Sequence, residues 1–141
     1  MAGHIHIEEA PVSLDVDALR SNLNIEGCGA IVSFIGITRG IDDGEEVLRL
    51  EFDAWQEKLA SVLHGLAEKA IGQFGIHSVA MAHRTGSVGP SENIVAIHVA
   101  SPHRKEAFES CSWLIDELKR QAPLWKKEVK TSGETWKAGL G

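Results

Sequence analysis

Tyrosine is absent from this sequence, and cysteine occurs only twice. Cys28 and Cys111 form no CxxC pair, which excludes a disulfide-stapled scaffold. Positive charge is in deficit: 14 Lys and Arg stand against 20 Asp and Glu, a net charge of −6. That balance argues against a general nucleic-acid binder. No apolar run approaches membrane-spanning length, and the N-terminal MAGHIHIEEA has no basic region followed by an apolar one. No membrane role is expected, and the cytoplasm is the expected compartment. No internal repeat or low-complexity segment interrupts the chain. What remains is 141 residues of ordinary hydrophobic and charged content, the signature of one domain, residues 1–141, with its own core. The four tryptophans carry no functional reading.

His4 to Glu8 alternates like a strand. Its two histidines, His4 and His6, are too few for a closed metal site, and His64, His77 and His98 are scattered without ligand spacing. No metal is expected. Ser13 to Leu23 opens with a capping residue and predicts a short helix. Ala30 to Thr38 is rich in β-formers, with Gly36 marking a bulge or a close backbone approach, and Arg39 closes the run. The turn formers Asp42, Asp43 and Gly44 then lead into an alternating strand, Val47 to Asp53, with Leu48, Leu50 and Phe52 on one face. The two strands read as a hairpin. Ala54 to Phe74 has helical spacing (Leu59, Leu63, Leu66, Ala70) and stops at Gly75. Two further strands, Ile76 to Arg84 and Ile94 to Ala100, flank a loop from Gly86 to Asn93. Paired strands with two long helices predict an α+β or mixed α/β fold.

The most informative stretch is Ser101 to Lys127, SPHRKEAFESCSWLIDELKRQAPLWKK. Ser101 reads as an N-cap and Pro102 as the first helical residue. Ala107, Cys111, Leu114, Ile115 and Leu118 form the buried stripe, and Pro123 ends the helix near Gln121. His103 and Arg104 sit where free N–H groups and the helix dipole favour an anion. Lys119 borders the stripe, and Lys126 and Lys127 follow the exit. An acidic protein that gathers these cations around one helix is suited to holding something negative.

This segment resembles the large, catalytic subunit of molybdopterin synthase. His-Arg, Ala-Phe, a Lys at the helix end and Ala-Pro-x-Trp-Lys follow in that family's order and spacing. GAIVSFIGITRG (Gly29 to Gly40) and HRTG (His83 to Gly86) agree as well. The similarity covers roughly residues 27 to 137, far more specific than a lone motif. It implies an α/β hammerhead with an added antiparallel β subdomain, and a homodimer within a heterotetramer. The implied reaction converts cyclic pyranopterin monophosphate (precursor Z) into the molybdopterin dithiolene. Sulfur arrives as a thiocarboxylate on the C-terminal Gly-Gly of a small ubiquitin-like subunit, so no metal or organic cofactor is implied. The residues Gly139-Leu140-Gly141 are not Gly-Gly, which casts this chain as the acceptor. By the same resemblance, Arg39, His103 and Arg104 hold the substrate phosphate, with Ile37 and Thr38 on the same wall. Lys119 meets the thiocarboxylate, and Lys126, with Lys127 and Glu128, meets the pterin. The chain departs from the family at Ser91 before Glu92, at Phe52 and Trp55 where tyrosines are usual, and at Leu140 where some members carry a basic residue.

Residue physics alone would leave Arg39 as a turn charge, His103 and Arg104 as ordinary first-turn residues and the lysines as solvated. Cys111 falls on the buried stripe and reads as packing, not as a sulfur carrier. His83 reads as structural or interfacial. Two other classes stay open: a non-catalytic docking module for a ubiquitin-like partner, and a different enzyme acting on a phosphorylated small molecule.

Overall fold

The computed structural model describes residues 3–140. The chain runs β1 (His4–Ala10), α1 (Val16–Arg20), β2 (Ala30–Ile37), β3 (Ile41–Asp42), β4 (Glu45–Ala54), α2 (Gln56–Phe74), β5 (Ser78–Arg84), β6 (Gly86–Val88), β7 (Asn93–Ser101), α3 (Arg104–Gln121), β8 (Leu124–Lys130) and β9 (Gly133–Trp136). The fold is α+β, as the alternation of strand pairs and helices predicts.

Two sheets carry the architecture. The first has the order β1-β5-β7-β2, with β1 parallel to β5 and the other pairs antiparallel. The second has the order β3-β4-β8-β9, antiparallel throughout, with β6 also bonded to β4. Strands β5 and β7 are buried on both faces, which explains their nearly unbroken apolar sequence. One face, with Val79, Met81, Ile97 and Val99, is covered by Leu63 and Leu66 of α2 and by Leu114 and Leu118 of α3. The other face presents Ala80, Ala82 and Ala96, small enough to let α1 approach through Leu19. Helix α2 ends where expected: Gly75 takes a left-handed φ of 72°, and its N–H bonds to Ile71 O.

Five expectations need correcting. β2 and β4 do not form a hairpin. β2 pairs with β7 in the first sheet, while β4 lies in the second and turns tightly only onto β3. Leu48 does not join Leu50 and Phe52 inside. A bulge between Val47 and Arg49 adds one residue to β4 opposite β8, so Val47 goes inward and Leu48 outward. The expected loop from Gly86 contains β6, paired to Leu50–Phe52. Helix α3 begins at Arg104, with His103 as the extended residue before it. Ser101 stays in the β7 ladder opposite Ala30, because the residue before a proline favours extended backbone. Likewise the cap of α1 is Asp15, which accepts from Ala18 N–H, and not Ser13.

Candidate active site

A cavity of about 340 Å³ lies between the end of β2, the C-terminal end of α3 and the inner face of β4 and β8. Its apolar walls include Phe34, Ile37, Leu50, Phe52 and Leu118, and its polar groups are Arg39, Asp42, His83, Lys119, Lys126 and Glu128.

Arg39 reaches the cavity through a local defect in β2. The register to β7 slips between Gly36 and Ile37. A β-carbon on Gly36 would lie 2.7 Å from Val95 Cγ1, so glycine is what lets the two strands close there. The bulge re-aims the chain. Ile37 comes out 56% exposed, while Thr38 turns in, 2% exposed. Thr38 N–H donates to Glu92 O at 3.0 Å and Thr38 O accepts from Ser91 N–H at 2.9 Å. This two-bond clasp fixes the corner from which Arg39 projects. Thr38 is not part of the cavity wall, and its Oγ1 is buried with no hydrogen-bond partner among the described residues.

Lys119 lies in the last turn of α3, directly after the buried Leu118. A cation there suits the negative end of the helix dipole. Lys126 and Glu128 come from one face of β8, since residues two apart on a strand point the same way. Lys126 is half-buried and its pKa is lowered, first by loss of water and then by the charges of Lys119, Lys137 and Arg39, with Glu128 opposing. The buried carboxylate of Glu128 is held by Lys130 at 3.1 Å and Lys137 at 3.5 Å. The same two ammonium groups reach Asp42, at 3.4 and 3.7 Å.

Besides Thr38, three expected site residues lie outside the cavity. Lys127 alternates to the opposite face of β8, where Glu51 at 2.8 Å and Glu134 at 3.4 Å pair with it and the Trp136 ring lies 5.6 Å from its Nζ. The bond to Glu51 raises its pKa, so it is a fixed cation outside the cavity. His103 and Arg104 are exposed at the other end of α3. Lys119 is fifteen residues beyond Arg104, about 22 Å along the helix axis. One chain therefore brings Ile37, Arg39, Lys119, Lys126 and Glu128 together, but not His103, Arg104, Thr38 or Lys127.

Cys111 is buried on the α3 stripe, its thiol pushed up to about 11 by burial and directed at Ile97 O. It is packing. His83 reads from the sequence as structural or interfacial, and its ring lines the cavity. Asp42, read as a turn former, lines it as well. No spacing could have revealed either, because β5 and β3 meet this cavity only through tertiary packing. Among the described residues no group of three His, Cys, Asp or Glu could hold a metal ion.

The arrangement suits an anionic ligand with an apolar, planar part. Three cations offer charge-assisted hydrogen bonds, aromatic and aliphatic walls accept a ring, and a lysine with lowered pKa can exchange protons nearer neutrality.

Known proteins resemble this chain in sequence and in backbone. The family model described as MoaE protein matches residues 7–121. The chain is 39% identical over 133 residues to the molybdopterin synthase catalytic subunit of Arabidopsis thaliana, covering 94% of this chain and 67% of that one. It is 30% identical to the catalytic subunit of Pyrococcus abyssi, covering 96% and 91%. The crystal structure of molybdopterin synthase from Staphylococcus aureus superimposes with a TM-score of 0.88 at 27% identity, covering 93% and 96%. With most of its length matched in sequence and in backbone, the chain belongs to the MoaE protein family.

Proposed function

We propose that this chain is the catalytic subunit of a molybdopterin synthase, a sulfurtransferase of molybdenum cofactor biosynthesis. The observation that carries the reading is the convergence of Arg39, Lys119, Lys126 and Glu128, from three separate segments, on one cavity. The substrate is cyclic pyranopterin monophosphate. The sulfur donor is the thiocarboxylated C-terminal Gly-Gly of a small ubiquitin-like subunit; the name "catalytic subunit" carried by the relatives itself implies a second subunit.

In this reading Arg39 takes part in holding the substrate phosphate. Lys119, at the cavity edge, stabilises the oxyanion that forms at the thiocarboxylate carbon and moves protons there. Lys126 faces the pterin and assists ring opening, with Glu128 setting its charge. The lowered pKa of Lys126 favours this chemistry over a docking module, for which a fully solvated lysine would suffice. His103 and Arg104 can serve the phosphate only in a cavity completed by a second copy of the chain, because they lie too far along α3 to reach their own. The free thiols Cys28 and Cys111 fit a reducing cytoplasm, and no described helix is long and apolar enough to cross a membrane.

The test is single-turnover conversion of precursor Z by this chain with the thiocarboxylated small subunit, followed through the fluorescent oxidation product of molybdopterin. Product formation is expected. Tight binding of the small subunit with no product would return the docking module.

A further inference from the structure

His83 has chemistry that the roles above leave unused. It is 3% exposed, and its ring forms part of the cavity wall. Its Nδ1 lies 2.7 Å from Arg84 O. A carbonyl only accepts, so Nδ1 carries the proton and the lone pair of the neutral ring is on Nε2. Nε2 has no hydrogen-bond partner among the described residues. The ring is held edge-on to Phe52, another wall residue, with centroids 5.1 Å apart and planes at 78°. Burial first, and then the charge of Lys126, hold the imidazole down to about 4, so it stays neutral at physiological pH.

The other polar side chains of the cavity leave this acceptor without a rival of its kind. Arg39, Lys119 and Lys126, when charged, only donate. Asp42 and Glu128 are both taken up by Lys130 and Lys137. A ligand held by cations alone would be selected for its anion and little else. A neutral acceptor fixed in the wall can distinguish a ring that carries an N–H from one that does not, because a mismatched ligand leaves a polar group unpaired.

We propose that His83 is a specificity-determining residue of this cavity, its Nε2 accepting a hydrogen bond from an N–H group on the ring system of an anionic heterocycle. The assignment rests on the functional reading above, in which that heterocycle is a pterin carrying ring and amino N–H groups. A purely architectural histidine would use only Nδ1, to hold the end of β5.

Two substitutions separate the roles. Asparagine can reproduce the Nδ1 donor but not the Nε2 acceptor, and glutamine the reverse. The chain in complex with its small subunit would be titrated calorimetrically with cyclic pyranopterin monophosphate and, separately, with inorganic phosphate. His83→Asn should weaken pterin binding about tenfold, the scale of one lost hydrogen bond. His83→Gln should retain most of it, and phosphate binding should change in neither. Wild-type pterin affinity in a folded His83→Asn protein would overturn the assignment alone. Failure of the wild-type complex to bind the pterin while it still binds phosphate would overturn the functional reading, and the assignment with it. Should the variants not fold, the wild-type protein labelled with ¹⁵N-histidine decides: the Nε2 resonance of His83 shifts when the pterin binds, and an unmoved resonance at saturation overturns the proposal.

Discussion

Lys126 Nζ donates to the backbone carbonyl of Leu140 at 3.3 Å, inside the cavity wall. It is the only hydrogen bond from that ammonium to a protein acceptor among the described residues; Glu128 acts on it as a nearby charge. The amine is thus poorly compensated for the water it has lost.

Lys126→Met should therefore separate stability from activity. The folded-state pKa of Lys126 is lowered, so the unfolded chain binds more protons than the folded one between that value and the ordinary lysine range. The charged amine destabilises the fold at neutral pH, and that penalty fades as pH rises through the folded pKa. Methionine should leave the melting temperature at pH 7 unchanged or higher, while turnover falls by about 100-fold or more. Parallel thermal melts and single-turnover assays check this.

Lys127→Met is the matching control. Lys127 faces Glu51 and Trp136 across the sheet from the cavity. Turnover should stay within about threefold of the parent, with only a small loss of stability, because an ion pair open to solvent contributes little. A loss as large as that of Lys126→Met would place Lys127 in the site after all.

Mixed dimers test whether His103 and Arg104 act across subunits. Lys119→Ala and Arg104→Ala chains should each be impaired alone. If Arg104 serves its neighbour, a mixed dimer contains one cavity with both losses and one with neither. Co-refolding the two variants should then restore about half of the parental activity per mixed dimer. No recovery would mean that Arg104 acts in its own chain or not at all.

His83 makes stability sensitive to acid. Its pKa falls from 6.5 to about 4 on folding, chiefly through burial, so the unfolded chain takes up the proton first. Stability is intact above about pH 6.5 and declines as pH drops toward 4, by about 3 kcal/mol over the window. Denaturant melts between pH 7 and 4 should show that loss, and His83→Gln should flatten the curve.

Gly36→Ala should act at a distance. Its new methyl would press on Val95 Cγ1 in a well-packed wall, at a cost of about 1–3 kcal/mol. It should also displace Arg39 and weaken substrate binding, and Val95→Ala in the same chain should recover part of both.

The two long helices were legible because their apolar residues repeat at helical spacing over many turns: Leu59, Leu63 and Leu66 in one, Ala107, Cys111, Leu114 and Leu118 in the other. The Gly36 bulge was legible from a lone glycine in a β-rich run. Pairing between strands was not, since β2 finds β7 across more than fifty residues and nothing local marks the partner. Within the site, Lys119 and Lys126 were singled out by resemblance; spacing alone left them as solvated lysines. Lys127 parts from Lys126 by strand alternation, which nothing local to the segment after Pro123 announces. The bulge at Leu48 also hid in the sequence, where the alternation looked unbroken.

Among the described residues, the edge strand β1 has its only partner in β5, residues 78–84, and β2 has its only partner in β7, residues 93–101. A chain emerging from the ribosome therefore exposes β1 and β2 without their partners until residues 78–101 have been made. The first sheet cannot close, nor can α2 find its packing surface, before β5 and β7 are present to join the earlier strands. Folding is held to a late, all-at-once step, and the young chain is at its most vulnerable to aggregation while residues 30–37 wait, rich in β-branched residues and unpaired.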